Sequence, residues 1–220
     1  MEIKVILTGA TGLVGEGVLL ACLEHPLVKE VLMVNRKSNA LKDPRLKECI
    51  IPSFLNPDEF SEQLTGYDAC FYCAGISSNG MNESDYSHIT YDTTLGFAEK
   101  LLSLNPQMVF SHVSGSHSDS SEKGNIMWAR VKGKIENALM RLPFKKVYNF
   151  RPGFMKPTAG QQNVKSFYKV ISWFYPLLKI LMPDRVSTMQ EVGLAMINSV
   201  LKGYPKQILE VTDIKLLAKA

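Results

Sequence analysis

The sequence predicts an α/β fold: a doubly wound parallel sheet with a small C-terminal cap. Three observations carry that expectation. Short apolar runs alternate with amphipathic stretches along most of the 220 residues. The first apolar run, Ile3–Thr8, leads directly into the glycine-rich turn Gly9-Ala10-Thr11-Gly12-Leu13-Val14-Gly15, which opens a helix. The alternation breaks once, from about Arg151 to Thr188. Apolar strands separated by amphipathic helices indicate a parallel sheet covered on both faces.

The elements follow in order. Glu30–Val34 reads as the second strand, Glu48–Ile51 as a weak third and Ala69–Ala74 as a buried fourth. Ser84 to Leu104 has helical spacing, with Ser84 as a cap and Pro106 just past the end. Gln107–Val113 is the fifth strand, Glu122–Leu142 a helix and Lys146–Phe150 the sixth strand. Thr188–Lys202 reads as a late helix capped by Ser187 or Thr188, and Ile208–Val211 as a final strand. No internal repeat or low-complexity linker divides the chain, so residues 1–220 read as one domain, with 151–188 as a cap on the substrate side.

The glycine turn has a chemistry of its own. Gly9 permits a tight turn, Gly12 lets backbone approach a pyrophosphate, and Gly15 lets the helix pack close to the strand. A pyrophosphate then meets the free N–H groups and positive dipole end of the helix. The second strand ends Val34-Asn35-Arg36-Lys37, without the Asp or Glu that usually holds ribose hydroxyls in a NAD site. Asn35 does not repel a 2′-phosphate, and Arg36 can clamp one and lie over adenine. NADP(H) is therefore expected over NAD(H).

Composition narrows the function. The net charge is +4 with no dense Lys/Arg run, so no nucleic-acid partner is expected. The N-terminus is a strand rather than a signal peptide, which points to a cytoplasmic protein. Cys22, Cys49, Cys70 and Cys73 read as reduced, buried thiols. Cys70 and Cys73 lie in an apolar strand, where residues three apart face opposite ways, so core packing is expected there. His112 and His117 are five apart without further ligands nearby, and no metal is expected. The apolar stretch Phe167–Met182 is too short to span a membrane and is interrupted by Lys169, Pro176 and Lys179. It reads as a packed helix of the cap, with a monotopic membrane contact as the alternative.

Together these features resemble the short-chain dehydrogenase/reductase superfamily, above all its small atypical members grouped with the NAD-dependent epimerase/dehydratase family. Thr8-Gly9-Ala10-Thr11-Gly12-Leu13-Val14-Gly15 matches the T-G-x-x-G-x-x-G turn, and Cys73-Ala74-Gly75 the small-Ala-Gly turn after the fourth strand. Ser114-Gly115-Ser116 stands where relatives carry the active-site Ser or Thr. Lys132 stands where they carry the lysine of Y-x-x-x-K, and Arg151-Pro152-Gly153 matches R-P-G. The resemblance covers nearly the whole chain and implies a Rossmann sheet. It also implies cofactor contacts at these turns, with Lys132 on the nicotinamide ribose and with Ser53, beside Phe54, standing in near adenine where relatives often carry Asp.

It departs at one chemically important place. Four residues before Lys132 stands Trp128, where relatives carry the tyrosine that acts as general acid/base. An indole N–H donates a hydrogen bond but does not exchange a proton at neutral pH. Ser114, Lys132 and Trp128 are thus the expected catalytic-site residues, with Tyr86, Tyr91, His112 and His117 as replacement acids. The resemblance implies an NADP(H)-binding oxidoreductase or epimerase-like enzyme on a small carbonyl or sugar-like substrate. The alternative is a non-catalytic NADP(H) sensor or scaffold. A homodimer through the helices after the fourth and fifth strands is implied by the same resemblance.

Overall fold

The computed structural model describes residues 1–39, 41–164, 168 and 173–220. A seven-stranded, wholly parallel sheet forms its centre, built from β1 (Ile3–Thr8), β2 (Val28–Asn35), β3 (Leu46–Ile50), β4 (Ala69–Tyr72), β5 (Val109–Val113), β6 (Lys146–Phe150) and β9 (Ile208–Leu209). The strand order is β3-β2-β1-β4-β5-β6-β9, which reverses direction between β1 and β4. That switch point opens a crevice at the carboxyl ends of the strands. Two further strands, β7 (Phe154–Lys156) and β8 (Val186–Thr188), pair as a separate parallel ribbon within the expected cap.

Period-two burial divides the sheet between two cores. Val5, Leu7, Val31, Met33, Ala69 and Phe71 face one side, while Ile6, Leu32, Val34, Cys70 and Tyr72 face the other. The first side is covered by α1 (Leu13–Glu24), α6 (Met189–Leu201) and α7 (Val211–Ala218). The second is covered by α3 (Thr93–Leu104) and α4 (Met127–Arg141). α1 and α6 approach closely: a Cβ on Gly193 would lie 2.4 Å from that of Ala21. Cys70 and Cys73 do fall on opposite sides of the sheet, and all four cysteines are free thiols.

Several boundaries differ from expectation. The helix after β4 begins as α2 (Glu83–Ser87), capped by Asn82 rather than Ser84, with the Asn82 side chain accepting from the Asp85 N–H at 2.9 Å. A π-helical turn, His88–Asp92, then joins α2 to α3. α4 starts at Met127 instead of Glu122 because Glu122 has a left-handed backbone, φ 61°. The Asp119 carboxylate organises that loop by accepting from Ser121 and Gly124. β4 ends at Tyr72, since the next two N–H groups, Cys73 and Ala74, donate to Thr8 Oγ1. Thr188, not Ser187, caps α6 in a reciprocal box with Glu191. Of the apolar stretch Phe167–Met182, residues 167 and 169–172 lie outside the described residues, and α5 (Tyr175–Leu181) is the helix within the remainder. No described helix is long and apolar enough to cross a membrane.

Candidate functional site

The glycine turn sits at the switch point in a shape that admits only small residues. Gly9 has φ 69°, and a Cβ there would lie 2.8 Å from the Cys73 carbonyl. A Cβ on Gly15 would lie 2.1 Å from the Gly9 carbonyl oxygen, so α1 can begin this close to β1 only without a side chain. Gly12 occupies the N-cap of α1 with no side-chain cap, so the N–H groups of the first turn remain free for an anion. Leu13 and Val14 are half-buried against the core, and Gln161 Nε2 holds the Leu13 carbonyl at 2.8 Å.

Asn35 braces this turn from the neighbouring strand. Its Oδ1 accepts from the Ala10 N–H at 3.2 Å. Its Nδ2 is buried and has no partner among the described residues. A buried donor without an acceptor is costly, and a bound polar ligand would satisfy it. Asn35 also lines a crevice of about 660 Å³ with Gly9, Thr11, Gly12, Arg36 and Lys37. This buried, unsatisfied amide beside the glycine cradle fits a dinucleotide.

A second cavity, of about 310 Å³, adjoins the first; Arg36, Phe54, Ala74 and Gly75 line both. Ser53 lies on its wall, and Phe54 is anchored edge-on against Tyr72 and Phe97. Lys132, His112 and Tyr86 also line it, together with three residues of the π turn, His88, Ile89 and Thr90. π-turns are frequently found at functional sites. That turn was not legible from sequence.

Lys132 Nζ donates to the Ser114 carbonyl at 3.3 Å. Burial holds its ammonium below the ordinary lysine range, and Glu136 partly offsets this. Ser114 is buried, and its Oγ lies 2.8 Å from Ser118 Oγ. Ser118 spends its one hydroxyl proton on the Gly115 carbonyl, at 2.9 Å. Ser114 is therefore the donor to Ser118, and only its lone pairs remain free in this arrangement. Trp128 is half-buried beside the same turn, its Cζ3 3.7 Å from where a Cβ on Gly115 would stand.

His112 is fixed in one tautomer. Asn149 Nδ2 donates to the Glu136 carbonyl at 3.4 Å, which turns Asn149 Oδ1 towards His112 Nδ1 at 3.1 Å. His112 Nδ1 must then carry the proton. Burial lowers the imidazole pKa to about 4, so the ring is neutral at physiological pH and Nε2 is an acceptor. Of the other candidate acids, Tyr86 reaches this cavity but Tyr91 does not line it; the Tyr91 ring lies under the Lys134 ammonium at 4.6 Å. His117 pairs with Ser116 Oγ at 3.0 Å.

Arg151 and Pro152 line neither cavity. The Arg151 guanidinium is shared between the buried Glu136 carboxylate, Glu210 and Ser120 Oγ. The Pro152 carbonyl accepts from Ser187 Oγ at 2.7 Å and so ties the end of β6 to β8. Among the described residues, no group of three or more His, Cys, Asp or Glu side chains could hold a metal ion.

The fold and the glycine cradle define a doubly wound NAD(P)-binding protein. The family model described as "NAD dependent epimerase/dehydratase family" matches residues 5–120, more than half of the chain. The chain belongs to that family. Among curated proteins it is similar to Protein HTATIP2 of Rattus norvegicus, 24% identical over 154 residues, covering 69% of this chain and 62% of that protein. It thus spans less than two thirds of that relative's length. It is also similar to "Protein fmp52, mitochondrial" of Emericella nidulans, 27% identical over 179 residues, covering 78% of this chain and 74% of that protein. Among solved structures, Bordetella bronchiseptica WbmF in complex with NAD+ aligns with TM-score 0.66 at 16% identity, covering 99% of this chain and 77% of that one. A short chain dehydrogenase from Burkholderia cenocepacia in complex with NADP aligns with TM-score 0.62 at 16% identity, covering 98% and 91%. These structural likenesses establish the fold.

Proposed function

We propose that this protein is an NADP(H)-dependent oxidoreductase or epimerase-like enzyme acting on a small carbonyl or sugar-like substrate. The observation that carries the reading is the Lys132 ammonium lining a cavity continuous with the glycine crevice. In this reading Thr8 holds the Cys73-Ala74-Gly75 turn, and the free N–H groups from Leu13 onwards bind the pyrophosphate, the Gly12 N–H being held by the Gly9 carbonyl. Arg36 and Lys37 take the 2′-phosphate, Ser53 and Phe54 flank the adenine, and Lys132 holds the nicotinamide ribose. When bound, the nicotinamide supplies or accepts a hydride. Ser114 presents lone pairs to a substrate hydroxyl, Trp128 walls the substrate side, and neutral His112 offers a further acceptor. Arg151 serves the fold, by pairing with the buried Glu136 carboxylate.

The test is a calorimetric titration with NADPH and NADH, followed by NADPH oxidation over a panel of carbonyl compounds. The expected result is tighter NADPH binding, loss of that preference in Arg36→Ala, and turnover that falls in Lys132→Ala. Equal affinity for both nucleotides would overturn the cofactor assignment. Tight NADPH binding with no turnover on any carbonyl would instead favour a non-catalytic sensor, a reading that Trp128 in the tyrosine position supports.

A further inference from the structure

The end of the cap presents a continuous apolar face to solvent. Trp173 is 80% exposed, Ile180 77% and Leu181 66%, with Phe174 and Leu177 about half exposed. Positions 177, 180 and 181 share one face of α5, and Trp173, just before the helix, packs edge to face on Phe174 at 5.2 Å. The opposite face of α5 carries Tyr175, which is buried. Large aromatic and aliphatic side chains grouped at this exposure mark an interaction surface.

Cations gather on the other side of this helix and just beyond its end. Lys179 lies exposed on the helix itself, and Arg185 lies exposed just beyond it, bonded through its N–H to the Met182 carbonyl. The Lys156 ammonium stands 5.3 Å from the centre of the Tyr175 ring. Lys215 donates to the Pro183 carbonyl, and its neighbour Leu216 is 64% exposed. From Trp173 to Thr188 the sequence contains a single carboxylate, Asp184.

We propose that the outer face of α5 seats this protein on an anionic bilayer surface. The apolar strip enters the boundary between headgroups and acyl chains, with Trp173 at the interface. Lys156, Lys179 and Arg185 reach back to the lipid phosphates along their aliphatic stems. The contact is peripheral, because no described helix is long and apolar enough to span. An apolar strip on one side of a short helix, with cations on its other side and a single carboxylate in the segment, matches a lipid surface of negative charge.

The experiment is co-sedimentation of the whole protein with phosphatidylcholine vesicles, with and without phosphatidylserine. Binding is expected with the anionic vesicles only, weakening as salt is raised. Trp173→Ser combined with Ile180→Ser should reduce partitioning by about tenfold or more, since two large apolar anchors are lost. Lys179→Glu should reduce it on anionic vesicles. These side chains are solvent-exposed, so an unchanged thermal midpoint will show that the variants remain folded. In Trp128→Phe, where Trp173 is the one remaining tryptophan, emission should shift to the blue on anionic vesicles. Wild-type protein left in the supernatant, or equal partitioning of all variants, would overturn the proposal. So would self-association that the Trp173/Ile180 variant abolishes, in the absence of any vesicle binding.

Discussion

The Ala10 N–H donates to Asn35 Oδ1 at 3.2 Å, joining the glycine turn to the end of the second strand, while Asn35 Nδ2 is buried without a partner among the described residues. One side chain thus braces the cradle and offers a donor next to Arg36. Asn35→Asp keeps the acceptor for Ala10 and replaces the free amide with a carboxylate. The expected outcome is a preference moved from NADPH towards NADH, with NADPH affinity down by about tenfold or more from charge repulsion at the 2′-phosphate. Calorimetric titration with both nucleotides reads this directly.

His112 makes stability sensitive to acid. Its folded pKa is about 4 against an ordinary 6.5, through burial. Between those values the unfolded chain binds a proton that the native chain does not, so stability falls as pH falls from 6.5 towards 4. The loss amounts to about 3 kcal/mol over that window. His112→Gln should flatten this part of the profile, as measured by denaturant unfolding at successive pH values. An unchanged profile would mean that another group is responsible.

Glu136 is fully buried and its carboxylate meets Arg151, whose guanidinium also reaches Glu210 and Ser120. Arg151→Met would strand a buried charge and should cost about 3–5 kcal/mol. Replacing Glu136 by Leu in the same variant should recover much of that loss, because the uncompensated carboxylate is removed. Where the single variant remains folded, its NADPH affinity should equal the wild type's. A large fall in affinity would place Arg151 on the cofactor instead.

Trp128 and Lys132 lie four residues apart on α4, hence on one face. Trp128→Tyr restores a hydroxyl beside the lysine. If the frame otherwise supports chemistry, carbonyl reduction should rise by about 10²-fold or more, the usual scale of a positioned acid. Loss of an existing activity would assign the indole to the substrate pocket. Steady-state NADPH oxidation by the two proteins decides between these outcomes.

The strands were legible because parallel strands buried on both faces read as apolar runs, and the glycine turn because backbone close approach excludes side chains. The same pattern could not reveal the β7–β8 ribbon, since the partners Phe154 and Val186 are far apart in sequence and only three residues long in each strand. Helix Val211–Ala218 was hidden behind an apolar start that resembles a strand. In the site, residue type alone could not distinguish His112 from His117 or Tyr86 from Tyr91. The difference lies in which side chain the sheet and the π turn direct into the cavity. Arg151 likewise followed a familiar motif, yet its partners are set by Glu136 and Glu210, 15 and 59 residues away.

The π turn has an evolutionary corollary. The Thr93 N–H reaches back to the His88 carbonyl, so this helix accommodates one residue more per turn than its neighbours require. Removing one residue would rotate everything before it by about 100° relative to Phe97 and Leu101. Tyr86 would swing off the cavity wall while the core-facing half stayed in place. A deletion or insertion of one codon here could therefore exchange the groups presented to a ligand without altering any of them.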